Sequence, residues 1–239
     1  MQDNAGLDTE LFPGEYIPHI LSSILRVGVA LRKKSEHEHE NPITIRLCKG
    51  LRGIERFRDG PFECHPQQAI LSSDPDNDGI IGWMDISISG VGGGSEVYFA
   101  MEAKRLRYRS PNGEFKTGNS EYVGDKGMMR FITDKYAPHM ETGAMLGYVF
   151  DGDIEKARSG IGALIWKKVE ALRMAPPKKL VPSDILPEER IGETRHLTMN
   201  NRVFIIYHLF ISLSEAGIRT LKTDKSSMRK MLFISQSFT

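Results

Sequence analysis

Two carboxylates and an ammonium group fall within a short stretch of this chain, in the segments Gly82-Trp83-Met84-Asp85-Ile86-Ser87-Ile88 and Val97-Tyr98-Phe99-Ala100-Met101-Glu102-Ala103-Lys104. Each segment alternates in the manner of a β-strand. Met84, Ile86 and Ile88 share one face, opposite Asp85 and Ser87; Val97, Phe99, Met101 and Ala103 oppose Tyr98, Ala100, Glu102 and Lys104. Between them, Gly93-Gly94 predicts a two-residue hairpin loop with positive φ. That loop sets a register in which Asp85 faces Glu102, with Cβ atoms about 5 Å apart. An odd loop without a bulge would send the two carboxylates to opposite faces. Lys104 projects from the face of Glu102, about 7 Å further along. Facing carboxylates repel, and one pKa rises unless a cation compensates. The pair therefore calls for a divalent metal, with Lys104 in reach of a water held there.

These residues need a framework. Residues 16–34 read as an amphipathic helix with Ile17, Ile20, Leu21, Ile24, Leu25 and Val29 toward a core. After a polar break, Asn41 as N-cap and Pro42 at the first position predict a second helix with a stripe at Ile43, Leu47, Leu51 and Ile54. Residues 62–72 predict a strand, and 74–79 a turn into the Asp85 strand. A helix is expected from Asp125, and an earlier start would bring Tyr122, Lys126 and Arg130 onto one face. Residues 143–150 read as a buried strand, 154–174 as one or two helices closed by Pro176-Pro177, and 203–211 as a further apolar strand in which His208 is a core histidine. A polar connection without assigned structure precedes that last strand. The order fits an α/β/α sandwich around a central mixed β-sheet. Without repeats or a sharp composition shift, 1–239 reads as a single domain, with 1–40 a helical extension and 219–239 a basic tail.

An Asp ending one strand, followed by Glu-x-Lys at the end of an apolar neighbour, resembles the PD-(D/E)XK, restriction-endonuclease-like nuclease superfamily. Asp85 and Glu102-Ala103-Lys104 carry the likeness, although Met84 stands where a Pro often precedes the Asp. An acid-x-Lys triplet is expected about twice by chance in such a chain. The second copy, Glu114-Phe115-Lys116, follows the turn Ser110-Pro111-Asn112-Gly113 and lacks an apolar strand leading into it. The resemblance implies a restriction-endonuclease-like fold and Mg²⁺, with Mn²⁺ as substitute, ligated by Asp85, Glu102 and the Ala103 carbonyl, while Lys104 orients or activates the attacking water. It also implies an acidic residue on a helix before the sheet. Glu40 fills that place, either as a further ligand or as a carboxylate favoured by the helix N-terminus. Lys126 and Arg130 are the candidates for basic groups on the helix after the Glu-x-Lys strand. The implied activity is endonucleolytic hydrolysis of phosphodiester bonds, with double-stranded DNA as the expected partner and restriction or antiphage defence as the setting. A homodimer or a subunit of a larger defence complex would suit it. The alternative is a nuclease-like subunit that binds nucleic acid, or serves assembly, without cutting.

The net charge of +1 creates no global field for nucleic acid, so any basic surface must be local. Arg105, Arg107 and Arg109 directly follow the Glu-x-Lys strand and are the candidates for phosphate contacts; a solvated loop is the plain reading. Two cysteines, Cys48 and Cys64, exclude a disulfide scaffold, and Cys48 falls near a core stripe. His37 and His39 alternate with glutamates as a metal tract could, but a zinc site wants ligands converging from several segments and only Cys64-His65 offers a partner pair, so zinc is not expected. Residues 74–85 begin with the acidic spacing of a calcium loop, but Asp85 stands where the glutamate belongs. No run of 18 apolar residues could span a membrane, and the polar start is no signal peptide, so a cytoplasmic protein is expected.

Overall fold

The alternating segments assemble into one mixed sheet in this computed structural model, which describes residues 12–72, 76, 78–90, 97–136 and 140–214. In chain order the strands are β1 (Phe62–Leu71), β2 (Ile80–Gly90), β3 (Tyr98–Leu106), β4 (Tyr108–Arg109), β5 (Phe115–Lys116), β6 (Thr142–Val149), β7 (Val181–Pro182), β8 (Gly192–Leu197) and β9 (Val203–Ser212). The helices are α1 (Ile17–Gly28), α2 (Glu40–Leu51), α3 (Glu55–Arg58), α4 (Asn119–Val123), α5 (Met129–Ile132) and α6 (Ile154–Lys167). The sheet runs β1-β2-β3-β6-β9-β8-β7, while β4 and β5 pair separately. Its centre, β3-β6-β9, is parallel, and both wings are antiparallel. Strands covered on both faces carry near-continuous apolar sequence, as β6 and β9 do.

Register assigns the helices to faces. Met145 aligns with His208 and Tyr148 with Ile211, so by alternation these pairs lie on opposite faces. Tyr122 of α4 bonds to His208, and α6 packs against α4; Thr44 of α2 bonds to Tyr148, and Gly28 of α1 lies against Ile211. Helices therefore cover both sides. α1 is integral to the core, because Ile20, Leu21 and Ile24 are fully buried. Cys48 and Cys64 are buried free thiols on α2 and β1, and the Cys64 contact together with burial pushes the Cys48 thiol up. Among the described residues, no helix is long and apolar enough to cross a membrane.

Several expectations change. α2 begins at Glu40 with His39 as its N-cap, so Asn41 does not cap it. The expected helix from Asp125 breaks into α4, a turn over 124–128 and α5. Gly127 explains the break, since a Cβ there would stand 2.0 Å from the Tyr122 carbonyl oxygen. Tyr122, Lys126 and Arg130 consequently share no helix face: Tyr122 is buried in the core and Lys126 is exposed. The polar connection before β9 contributes β7 and β8; in β8 the buried positions carry the polar residues Glu193, Thr194 and His196, which hid the strand from a reading of hydrophobic alternation. The Gly93-Gly94 turn, the turn over 74–79 apart from residues 76, 78 and 79, and the basic tail 219–239 lie outside the described residues.

β8 and β9 also carry a buried polar chain. The Tyr122 hydroxyl meets His208 Nδ1 at 3.0 Å, His208 Nε2 meets Thr194 Oγ1 at 2.8 Å, Thr194 Oγ1 meets His196 Nε2 at 2.8 Å, and His196 Nδ1 meets the Leu172 carbonyl at 2.7 Å. Burial pushes His208 down to about 3 and His196 to about 4, so both rings are neutral. His208 is thus a satisfied core residue. A depressed histidine contributes stability that is present above its unfolded value of about 6.5 and lost as pH falls toward its folded value. Thr194→Val removes the hydroxyl between the rings and leaves a buried donor and a buried acceptor unmatched. A loss of about 2–4 kcal/mol in denaturant unfolding is expected; an unchanged midpoint would contradict it.

Candidate functional site

The site forms where the sheet forks. β2 pairs with β3 from Ile86↔Met101 to Ser89↔Tyr98, whereas its first half, Ile80 to Met84, pairs only with β1. β3 continues beside β6 as far as Leu106. Extending the β2–β3 register by one step sets Asp85 opposite Glu102, as the alternation predicted. Ala103 shows what the fork does to the backbone. Its N–H donates to Asp85 Oδ2 at 2.8 Å, and its carbonyl accepts from Lys104 Nζ at 2.8 Å.

Lys104 Nζ also bonds Glu102 Oε1 and lies 3.8 Å from Asp85 Oδ2. One ammonium is thus surrounded by a carboxylate oxygen of Asp85, one of Glu102 and the Ala103 carbonyl. These are the three groups the resemblance assigns to the metal. Asp85, Glu102 and Lys104 are 8%, 1% and 6% exposed, so the cluster is largely desolvated. Burial and the neighbouring Asp85 outweigh the two cations near Glu102 and push its carboxyl up to about 8.

Further side chains, beyond the expected trio, hold this arrangement. Gln67 lies opposite Asp85 in the β1–β2 register and donates to Asp85 Oδ1 at 3.1 Å. Its φ of +55° interrupts the ladder and is costly for a residue with a side chain. Asn41 Nδ2 in turn donates to Gln67 Oε1 at 3.1 Å, tying the start of α2 to Asp85. On the other side Arg130 Nη1 bonds Glu102 Oε2 at 3.2 Å and the Trp83 carbonyl at 2.9 Å. Tyr136 bridges Arg130 and the same carbonyl through its hydroxyl. Arg130 reaches this far because α5 lies close on β6: a Cβ at Gly143 would stand 2.7 Å from the Phe131 ring. Sequence reasoning missed Gln67, Asn41 and Tyr136. The proline at 66, irregular within a strand, was the available signal for the first.

The remaining expected residues are placed differently. Glu40 pairs with Arg105 at 3.2 Å and makes no hydrogen bond or ion pair with Asp85, Glu102 or Lys104. Arg105 also lies over the Tyr108 ring, 4.3 Å from its centroid. Arg107 is held by Asp151 at 2.6 Å and lies over Phe115, and Arg109 donates to the Gly113 carbonyl at 3.0 Å. All three arginines are engaged within the protein. Lys126 is exposed and away from the trio's hydrogen bonds.

Hard oxygen donors converging on a cationic point suit Mg²⁺ or Mn²⁺. Among the described residues no group of three or more His, Cys, Asp or Glu side chains converges as a metal cluster; here the third oxygen is a backbone carbonyl. Compared with known proteins, the chain matches no family model, no curated protein and no solved structure.

Proposed function

We propose that this protein is a divalent-metal-dependent endonuclease of restriction-endonuclease-like fold that hydrolyses phosphodiester bonds in DNA. One observation carries the reading: the Lys104 ammonium rests among the Asp85, Glu102 and Ala103 oxygens, so a cation-binding oxygen set is already assembled at the fork. Asp85, Glu102 and the Ala103 carbonyl would hold Mg²⁺. When bound, the ion supplies Lewis-acid polarisation of a phosphate oxygen and a lowered pKa for a water.

The protein's own groups do the rest. Lys104, released from the carboxylates, hydrogen-bonds the attacking water and offsets charge developing on the phosphate. Gln67 and the Ala103 N–H fix both oxygens of Asp85, and Arg130 fixes Glu102 Oε2, so the ligands need little reorganisation. A bond forms from the water oxygen to phosphorus, the opposite ester bond breaks, and the departing alkoxide takes up a proton. Cutting both strands of a duplex with one such site per chain would call for a homodimer. A cytoplasmic setting in restriction or antiphage defence fits this activity.

Plasmid, linear duplex and single-stranded DNA incubated with Mg²⁺, Mn²⁺ or EDTA test the reading. Cleavage with either metal and none in EDTA is expected. Binding without cutting under every divalent ion would instead make the protein a nuclease-like binding subunit.

A further inference from the structure

The forked half of the β1–β2 hairpin leaves an apolar surface beside the site. Trp83 lies two residues before Asp85, on the same strand face and about 7 Å away. Trp83 is 51% exposed, and Leu71, Ile80 and Ile81 are exposed further along the same arm. The backbone beneath the indole is locked: the Trp83 carbonyl accepts from Arg130, which also bonds Glu102, and from the Tyr136 hydroxyl. The residue that carries this exposed aromatic group thus has its backbone tied through Arg130 to a site carboxylate. Lys135 lies against Gly82 of the same arm, its Nζ 3.0 Å from where a Cβ would stand, and it makes no ion pair among the described residues.

We propose that Trp83 is a stacking platform for an unpaired nucleobase next to the cleaved phosphate, so that the substrate is DNA with a single-stranded segment. The inference rests on the nuclease reading of the same site. It narrows the duplex expected from sequence. A nucleobase suits this position because Trp83 stands next to the proposed phosphodiester site, its carbonyl bonded to Arg130 and Lys135 beside the neighbouring Gly82, while Ile80, Ile81 and Leu71 lie further along the arm. Base recognition also fits the pairing of Arg105 with Glu40 and of Arg107 with Asp151, which leaves Arg109 alone of the three without a carboxylate partner among the described residues. An indole face meets any base, but only one out of its duplex stack.

Trp166→Phe leaves Trp83 as the sole tryptophan of a chain that has two. In EDTA, an oligothymidylate of about 12 nucleotides should quench its fluorescence saturably, and a blunt duplex of equal length should not. By anisotropy, Trp83→Ala should weaken oligothymidylate binding about 5- to 100-fold, whereas Trp83→Phe retains it. In the cleavage assay Trp83→Ala should raise KM and spare kcat. No binding of the single strand, binding without quenching, or equal affinity of Trp83→Ala and wild type would overturn the inference. So would a change from dimer to monomer on Trp83→Ala with DNA affinity unchanged, which would assign the indole to a contact between copies. The nuclease reading fails on a different measurement, the absence of Mg²⁺-dependent cutting by wild type.

Discussion

Asp85→Asn should lose about 10³-fold or more of Mg²⁺-dependent cleavage while unfolding close to the wild-type midpoint. The two effects separate because of what each Asp85 oxygen does. An asparagine carbonyl can still accept the Ala103 N–H, and Gln67 and Asn41 can each turn their amides so that Gln67 accepts from the new NH₂ group and donates to Asn41, which preserves the local hydrogen bonds. What disappears is the anionic ligand. With one carboxylate gone, Lys104 also keeps only Glu102 as a charged partner, which ties the ammonium more firmly to the remaining ligand. The measurement is kcat on plasmid beside a thermal melt of the same preparation. Wild-type cleavage by a folded Asp85→Asn protein would remove Asp85 from the metal site.

The second large effect is a pH dependence set by Glu102. Burial and Asp85 raise its carboxyl to about 8, so at neutral pH a metal must displace a proton from it. Apparent Mg²⁺ affinity should fall about tenfold for each pH unit below that value. Cleavage at subsaturating Mg²⁺ should rise with pH and level off above about 8. The stability sign follows from the same displacement. An acid whose folded pKa lies above its unfolded one, ordinarily about 4.5, contributes stability that is full below the unfolded value and lost as pH climbs through the folded one.

In EDTA, Glu102→Gln should therefore match wild type near pH 5 and exceed it near pH 9 by on the order of 3 kcal/mol. Excess Mg²⁺ at high pH should restore wild type through ligand linkage and leave Glu102→Gln unmoved. Parallel stability profiles for the two proteins in EDTA would show that Glu102 does not titrate abnormally. Flat Mg²⁺ affinity between pH 6 and 9 would show the same for the metal-binding step.

Local alternation determined a good deal. Ile86, Ile88, Met101 and Ala103 must be buried, and a period of two leaves Asp85, Glu102 and Lys104 together on the other face once the hairpin register is even. The apolar runs of β6 and β9 announced a sheet covered on both sides, and the stripe of Ile20, Leu21 and Ile24 announced a helix against it. Those are short-range consequences of periodicity, which sequence carries directly. The breaking of the 122–136 segment was not legible, because it depends on how closely Gly127 approaches the Tyr122 carbonyl.

The surroundings of the trio were decided only by tertiary structure. Glu40 stands at the start of α2, as read, yet the ion pair with Arg105 takes its carboxylate. Arg105, Arg107 and Arg109 formed a convincing basic run, but Glu40, Asp151 and the Gly113 carbonyl, distant in sequence or across a turn, engage them. Gln67 and Tyr136 reach the site from 18 residues before Asp85 and from 53 residues after Trp83. Their roles exist only because β2 leaves β3 at Asp85 and opens backbone groups that side chains must satisfy. Periodicity could put two carboxylates and a lysine on one face; the fork in the sheet decided what surrounds them, since where two strands part depends on contacts between segments far apart in the chain.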